Sequence, residues 1–235
     1  MKACVLLWDE AKRSRPEITE AVLELGDAIV AKGATRLGID VVDGPSDVPS
    51  PSPFGRREHL PCALLNVWID DPKRIESLLE DGLFRHAAYR VEESVYTDYG
   101  DNEHHGPRDW PDKDRSPGLV TLNLIEQPPG LSRETWIHRW HERLSPVTAK
   151  IQPRCRYVRN LVLEPLTEGA PKWEGIVEEC FPTTADLTNP FRFYGAGNNP
   201  LRLVWNLMVV LVVVMRFTRI WRVRTIPMGE YLWKT

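Results

Sequence analysis

Residues 98–118, DYGDNEHHGPRDWPDKDRSPG, followed at 119–126 by LVTLNLIE, divide the 235-residue chain into two halves of similar organisation. The first stretch is too rich in Asp, Gly, His and Pro for regular structure and reads as a linker. The second alternates apolar and polar side chains with the period of two that a strand requires. Outward from this junction, the amino-terminal half offers strands at 2–8, 36–42, 63–69 and 88–96, all rich in β-branched, Leu or aromatic residues. Between them, Ile18, Val22, Leu25 and Ile29 form one apolar helical stripe that ends at Gly33, and Asp71-Pro72 opens a second helix burying Ile75, Leu78 and Leu79. The carboxy-terminal half repeats the order. Strands are expected at 119–126, 154–163, 175–181 and 221–226, with a helix capped by Ser132 and running to about 143, and a long one over 201–218.

The doubled order predicts an α+β fold of two tandem ferredoxin-like βαββαβ units, residues 1–97 and 119–235, joined by the linker 98–118. Each four-stranded sheet would carry helices on one face only. The two bare faces are expected to pack sheet to sheet as an α+β barrel whose interior can hold one small ligand. Residues 44–61, GPSDVPSPSPFGRREHLP, form a long surface loop and a candidate lid.

Composition narrows the function. Thirty basic against thirty-three acidic residues leave a net charge of −3 and no footprint for a phosphate backbone, so nucleic acid is not expected as a partner. The amino terminus reads as a buried strand rather than a signal peptide. Four scattered cysteines, Cys4, Cys62, Cys155 and Cys180, make no zinc-ligand pattern and fit a reduced, cytoplasmic chain. The apolar run 203–215, LVWNLMVVLVVVM, is shorter than the roughly 20 residues of a membrane span and is expected to be buried in the fold or in a homodimer interface. Its flanking Arg202, Arg216 and Arg219 suit a peripheral contact with an anionic surface, but a membrane partner is not the expectation. No Gly-x-Gly-x-x-Gly or Gly-x-Ser-x-Gly motif is present, and His104-His105 on an acidic loop lacks the surroundings of a metal site, so none is expected.

Polar residues that interrupt apolar strands mark candidate pocket positions. Asn66 and Trp68 alternate with Leu65, Val67 and Ile69. Thr121 and Asn123 alternate with leucines that suit the helix side, and Asp40 sits between Ile39 and Val41. Arg90, Glu92 and Ser94 interrupt the fourth strand in the same way. On the helix after Ser132, His138 and His141 are three apart beside the Trp136 and Trp140 pair, and imidazole titrates nearest the working pH of a general acid or base.

The segment PPGLSRETWIHRWHERLSP at 128–146, the strand RYVRN at 156–160 and WEGIVEECFPTTADLTNPFRFYGA at 173–196 resemble the EthD family of dimeric α+β-barrel proteins. The resemblance covers about residues 119–235. It implies a barrel that usually needs no metal or organic cofactor and acts on small hydrophobic molecules in catabolic or polyketide pathways. Heme-dependent relatives form a further class. Leu144 stands where that family commonly has a histidine.

These readings lead to a cofactor-independent lyase or isomerase with dehydratase-type acid–base chemistry on a small hydrophobic, aromatic-sized substrate. Asp40, His141 and Tyr157 are the expected proton-transfer residues, the last by its place in the family pattern. Asn66, Trp68, Asn123 and His138 are the expected substrate contacts. The alternative is a non-catalytic binding or accessory protein for a hydrophobic metabolite. Catalysis requires an acid and a base lining one cavity, whereas a carrier needs an apolar pocket with one orienting group.

Overall fold

The structure, a computed structural model, describes residues 1–52, 55–71, 74–79 and 82–235. Eight strands, β1 (Lys2–Trp8), β2 (Arg36–Val41), β3 (Ala63–Trp68), β4 (Arg85–Thr97), β5 (Leu119–Ile125), β6 (Arg156–Pro165), β7 (Gly175–Phe181) and β8 (Arg224–Lys234), form one sheet. It closes on itself in the order β1-β3-β2-β8-β5-β7-β6-β4, with every neighbouring pair antiparallel.

This closed antiparallel barrel corrects the expectation of two tandem ferredoxin-like units stacked sheet to sheet. β2 hydrogen-bonds to β8 and β4 to β6 across the two halves, so one continuous ladder replaces two separate sheets. The physical reason is the edge. Two stacked open sheets would leave unpaired N–H and C=O groups on four strands, and closure satisfies them all.

Helices flank the barrel without forming complete layers. α1 (Arg15–Ala31) begins at a capping box, in which the Ser14 N–H donates to Glu17 Oε2 at 2.7 Å. It buries Ile18, Val22, Leu25 and Ile29 against Ile39, Leu65 and Val67. α2 is a single turn, Ile75–Leu78, and Pro72, the expected first helical residue, lies outside the described residues. α3 (Arg133–His138), capped by Ser132, passes into a π-helical turn, Arg139–Leu144, and then α4 (Ser145–Ala149). Short α5 (Thr184–Thr188) and α6 (Pro190–Phe193) lead to α7 (Pro200–Phe217). Asn199 caps α7 by accepting from the Leu201 and Arg202 N–H groups at 3.0 and 3.1 Å.

The expected linker is an ordered strap. Ser116 N donates to Glu230 O at 2.8 Å, and Lys113 N to Leu232 O at 3.0 Å, so the segment runs along β8. Arg115 Nε donates to the buried Asp43 carboxylate at 2.5 Å, and the Tyr99 hydroxyl donates to Glu230 Oε2 at 2.6 Å. Gly118 turns the chain into β5 with φ +74°. A Cβ there would meet the Phe181 carbonyl at 1.9 Å, which leaves room for glycine alone.

Inside the barrel, Cys4, Leu6, Leu64, Tyr89, Leu122, Leu124, Ile176 and Met228 pack together. A buried polar group shares that interior. Arg156 Nη1 donates to Glu230 Oε1 at 2.8 Å and lies 3.8 Å from Glu178. Asn66 and Asn160 each donate to Glu178, at 2.9 and 2.8 Å. Asp40, opposite Glu230 in the ladder, is 1% exposed and its Oδ2 has no hydrogen-bond partner. The leucines of β5 thus face the barrel interior and Thr121 and Asn123 the helix side, the reverse of the expected facing. Both faces of β5 are buried, and alternation alone cannot say which one is inside.

Candidate functional site

β8, β5, β7 and β6 lie side by side, and their outer face carries a line of polar side chains. Alternation puts Thr225, Asn123, Thr121, Glu179 and Tyr157 on that face. Register makes them neighbours: Asn123 is opposite Thr225, and Glu179 is opposite both Thr121 and Tyr157.

Hydrogen bonds join them into one chain. The Thr225 hydroxyl donates to Asn123 Oδ1 at 2.7 Å, and Asn123 Nδ2 donates to Glu179 Oε2 at 3.0 Å. The other Glu179 oxygen accepts from Arg154, whose second guanidinium nitrogen donates to Thr148 Oγ1 at 2.8 Å. Arg154 also lies over the Tyr157 ring, 4.1 Å from its centroid. Burial pushes the Tyr157 phenol above its ordinary pKa, so it stays protonated and able to donate.

The π-helical turn positions the partner of that phenol. Widening the helix over Arg139–Leu144 brings Trp136, Trp140, Leu144 and Ser145 all onto the sheet side. Trp140 Nε1 donates to the Tyr157 hydroxyl at 3.1 Å, and Ser145 Oγ lies 3.3 Å from the same oxygen. Gly175 lets the indole approach β7; a Cβ there would stand 2.9 Å from the Trp140 ring.

α7 spans this face without filling it. The space left is a cleft of two adjoining chambers, about 120 and 310 Å³, which share Asn123, Gln152, Glu179, Val210, Val214 and Val223. Tyr157, Trp140 and Phe217 close the inner chamber. The outer one is walled by Phe193, Tyr194, Leu207 and Leu211 and bordered by Pro51 and Ser52. The described part of the expected lid loop therefore lies at the rim, where Ser50 Oγ donates to Thr225 O at 3.0 Å and Arg56 N to Val223 O at 3.0 Å, while Pro53 and Phe54 lie outside the described residues. The Glu179 carboxyl and the Tyr157 phenol both face a space with otherwise largely apolar walls.

Of the residues expected at the site, Tyr157 and Asn123 meet in this cleft. Asp40 and Asn66 lie in the barrel interior with Glu178 and line neither chamber. Trp68 lies between Lys2 and Arg36, 4.7 and 4.5 Å from its ring. His138 is exposed. His141 is half-buried beside Trp140, its Nε2 without a partner, and burial and Arg159 push its pKa down. Among the described residues no group of three or more His, Cys, Asp or Glu side chains could hold a metal ion. Sequence reasoning missed Glu179, Arg154 and Gln152. The signal for Glu179 is its place in GIVEECF, where it shares a face with Val177 and Gly175 and points opposite to Glu178.

For Asp40, burial, Glu178 and Glu230 all push the carboxyl well above the ordinary carboxylate range. A raised folded pKa means stability that is present below the ordinary carboxylate pKa and lost as pH rises towards the folded value. Asp40→Asn is therefore expected to stabilise the protein at neutral pH by about 1–3 kcal/mol, with the gain shrinking as pH falls towards 4. Thermal melts across that pH range check this; an unchanged or lowered melting temperature at neutral pH would sink it.

The fold and the cleft define an eight-stranded antiparallel barrel with a ligand-sized cavity on one outer face. No protein-family profile matches the chain, and no curated protein does. Among solved structures it is similar to one described as "Crystal structure study of anthrone oxidase-like protein", with a TM-score of 0.54 and 11% identity over 97% of this chain and 90% of that one. At that identity the likeness shows a shared fold. The expected lyase or dehydratase class is corrected: the similar structure is described as oxidase-like, and no evidence of lyase or dehydratase chemistry is seen.

Proposed function

We propose that the protein is an enzyme for a small, largely apolar, ring-containing metabolite, which it binds in the cleft under α7 and acts on by proton transfer. One observation carries this reading: a carboxylate and a phenol, Glu179 and Tyr157, line the same inner chamber, the acid and base that a mere carrier would not need. Glu179 accepts a proton from an acidic C–H or O–H of the ligand. Its four lone-pair positions leave acceptor capacity beyond the bonds from Asn123 and Arg154. The electron pair left on the ligand is drawn to its oxygen, which the Tyr157 hydroxyl and the Gln152 amide are placed to hydrogen-bond. The apolar walls exclude water and supply most of the binding.

Anthrone, the compound in the description of the similar structure, is a suitable carbon-acid probe. Wild type is expected to accelerate exchange of its methylene hydrogens in deuterated buffer by about 10²- to 10⁴-fold, and Glu179→Gln to lose that acceleration while still quenching tryptophan fluorescence on binding. Proton NMR follows the exchange. Binding by wild type with no acceleration would replace this reading with the accessory-protein one.

A further inference from the structure

α7 is apolar on all sides, but its burial is one-sided. Val210 and Phe217 are buried, with Phe217 stacked on Trp136 at 5.3 Å, while Leu201, Val204, Trp205, Met208, Val212 and Met215 are exposed on the opposite side. Trp205 and Trp221 are 70% and 58% exposed. A helix apolar all round needs cover on its outer side.

Charge selects what covers it. From Leu187 to Gly229 the chain has no Asp or Glu and six arginines, in a protein of net charge −3. Arg202 stands at the start of the apolar face and Arg216 and Arg219 at its end, and among the described residues none of the three has an ion-pair partner. A second copy docked on this face would bring like charges together. An anionic lipid surface complements them, and exposed tryptophans suit the level of the headgroups.

We propose that the outer face of α7 docks on an anionic lipid bilayer, lying in its interface. By length and composition α7 is also able to span a membrane. Its inner side argues against spanning: Asn206 Nδ2 donates to Tyr194 O at 2.7 Å, Arg139 to Arg216 O at 2.7 Å, and Phe217 is embedded between Trp136 and Trp140. Flat docking keeps these contacts and puts the cleft wall at the bilayer.

The test is co-sedimentation of the full chain with vesicles of phosphatidylcholine alone or with about a third phosphatidylserine. Binding is expected to the mixed vesicles and to fall several-fold as salt is raised. The combined Arg202→Gln, Arg216→Gln, Arg219→Gln variant is expected to bind them about 100-fold more weakly. Trp205→Glu with Met215→Glu is expected to abolish binding with an unchanged melting temperature, because both side chains are exposed and line neither chamber of the cleft. No binding to the mixed vesicles, or equal binding to both kinds, overturns the proposal. So does a dimer in analytical ultracentrifugation that the Trp205→Glu, Met215→Glu variant dissociates, which would assign the face to a second copy.

Discussion

Replacing Arg156 with Met is expected to destabilise the protein by about 3–5 kcal/mol, because it leaves buried carboxylates inside the barrel without their cation. Arg156 bonds Glu230 at 2.8 Å, lies 3.8 Å from Glu178, and reaches Asp98 at 3.2 Å on the strap. Burial works against its charge, yet Glu230, with Cys180 and Glu178, more than offsets this and pushes its pKa up. In the variant, Glu178, Glu230 and Asp40 would face one another with Lys2 as the remaining nearby cation, 3.9 Å from Glu178. Buried carboxylates without a cation cost most when they are ionised, so the loss is expected to be largest at neutral pH and to shrink as pH falls through the carboxylate range. Denaturant melts at several pH values measure this. Wild-type stability at neutral pH would show that the interior charges are not coupled as described. Adding Asp40→Asn to the variant is expected to recover part of the loss, since it removes one of the three carboxylates.

Trp140→Ala is expected to cost about as much, roughly 3–5 kcal/mol, for a different reason. The indole is fully buried, packs on Trp136 and Phe217, and fills the space over Gly175. Truncation would open a void beneath the π-helical turn and remove the donor to Tyr157. Trp140→Phe separates the two contributions. It keeps most of the bulk, loses the N–H, and is expected to cost about 1 kcal/mol of stability. If Tyr157 acts on the ligand as proposed, Trp140→Phe should lower the proton-exchange rate by more than it weakens binding. Equal effects on both would reduce Trp140 to a structural support.

The polar interior and the polar cleft serve different ends. Inside the barrel, Arg156, Glu178, Glu230, Asn66 and Asn160 bond to one another and line neither chamber. On the outer face, Glu179 keeps one side towards a cavity, and its bonds to Asn123 and Arg154 hold the carboxylate in place without covering it. Adjacent residues on one strand, Glu178 and Glu179, thus belong to two separate environments because successive side chains point to opposite faces.

That alternation marks how far the sequence could be read. The positions of β1 and β7, the α1 stripe from Ile18 to Ile29, the Ser132 cap and the long helix ending near Phe217 all follow from local periodicity and capping chemistry, which act over a few residues. The acid-free, arginine-bearing stretch around α7 is likewise visible in composition alone. Closure through β2–β8 and β4–β6 is not, because the pairings join residues as distant as Leu37 and Lys234, and only the folded chain brings them together. Inside and outside were also decided by tertiary structure. Leu122 and Leu124 fill the barrel and Asn123 faces the cleft, since both faces of β5 are covered and either facing satisfies the same pattern. Apolarity on every side of α7 predicts burial, but the barrel offers it one face to lie on, and the other stays exposed.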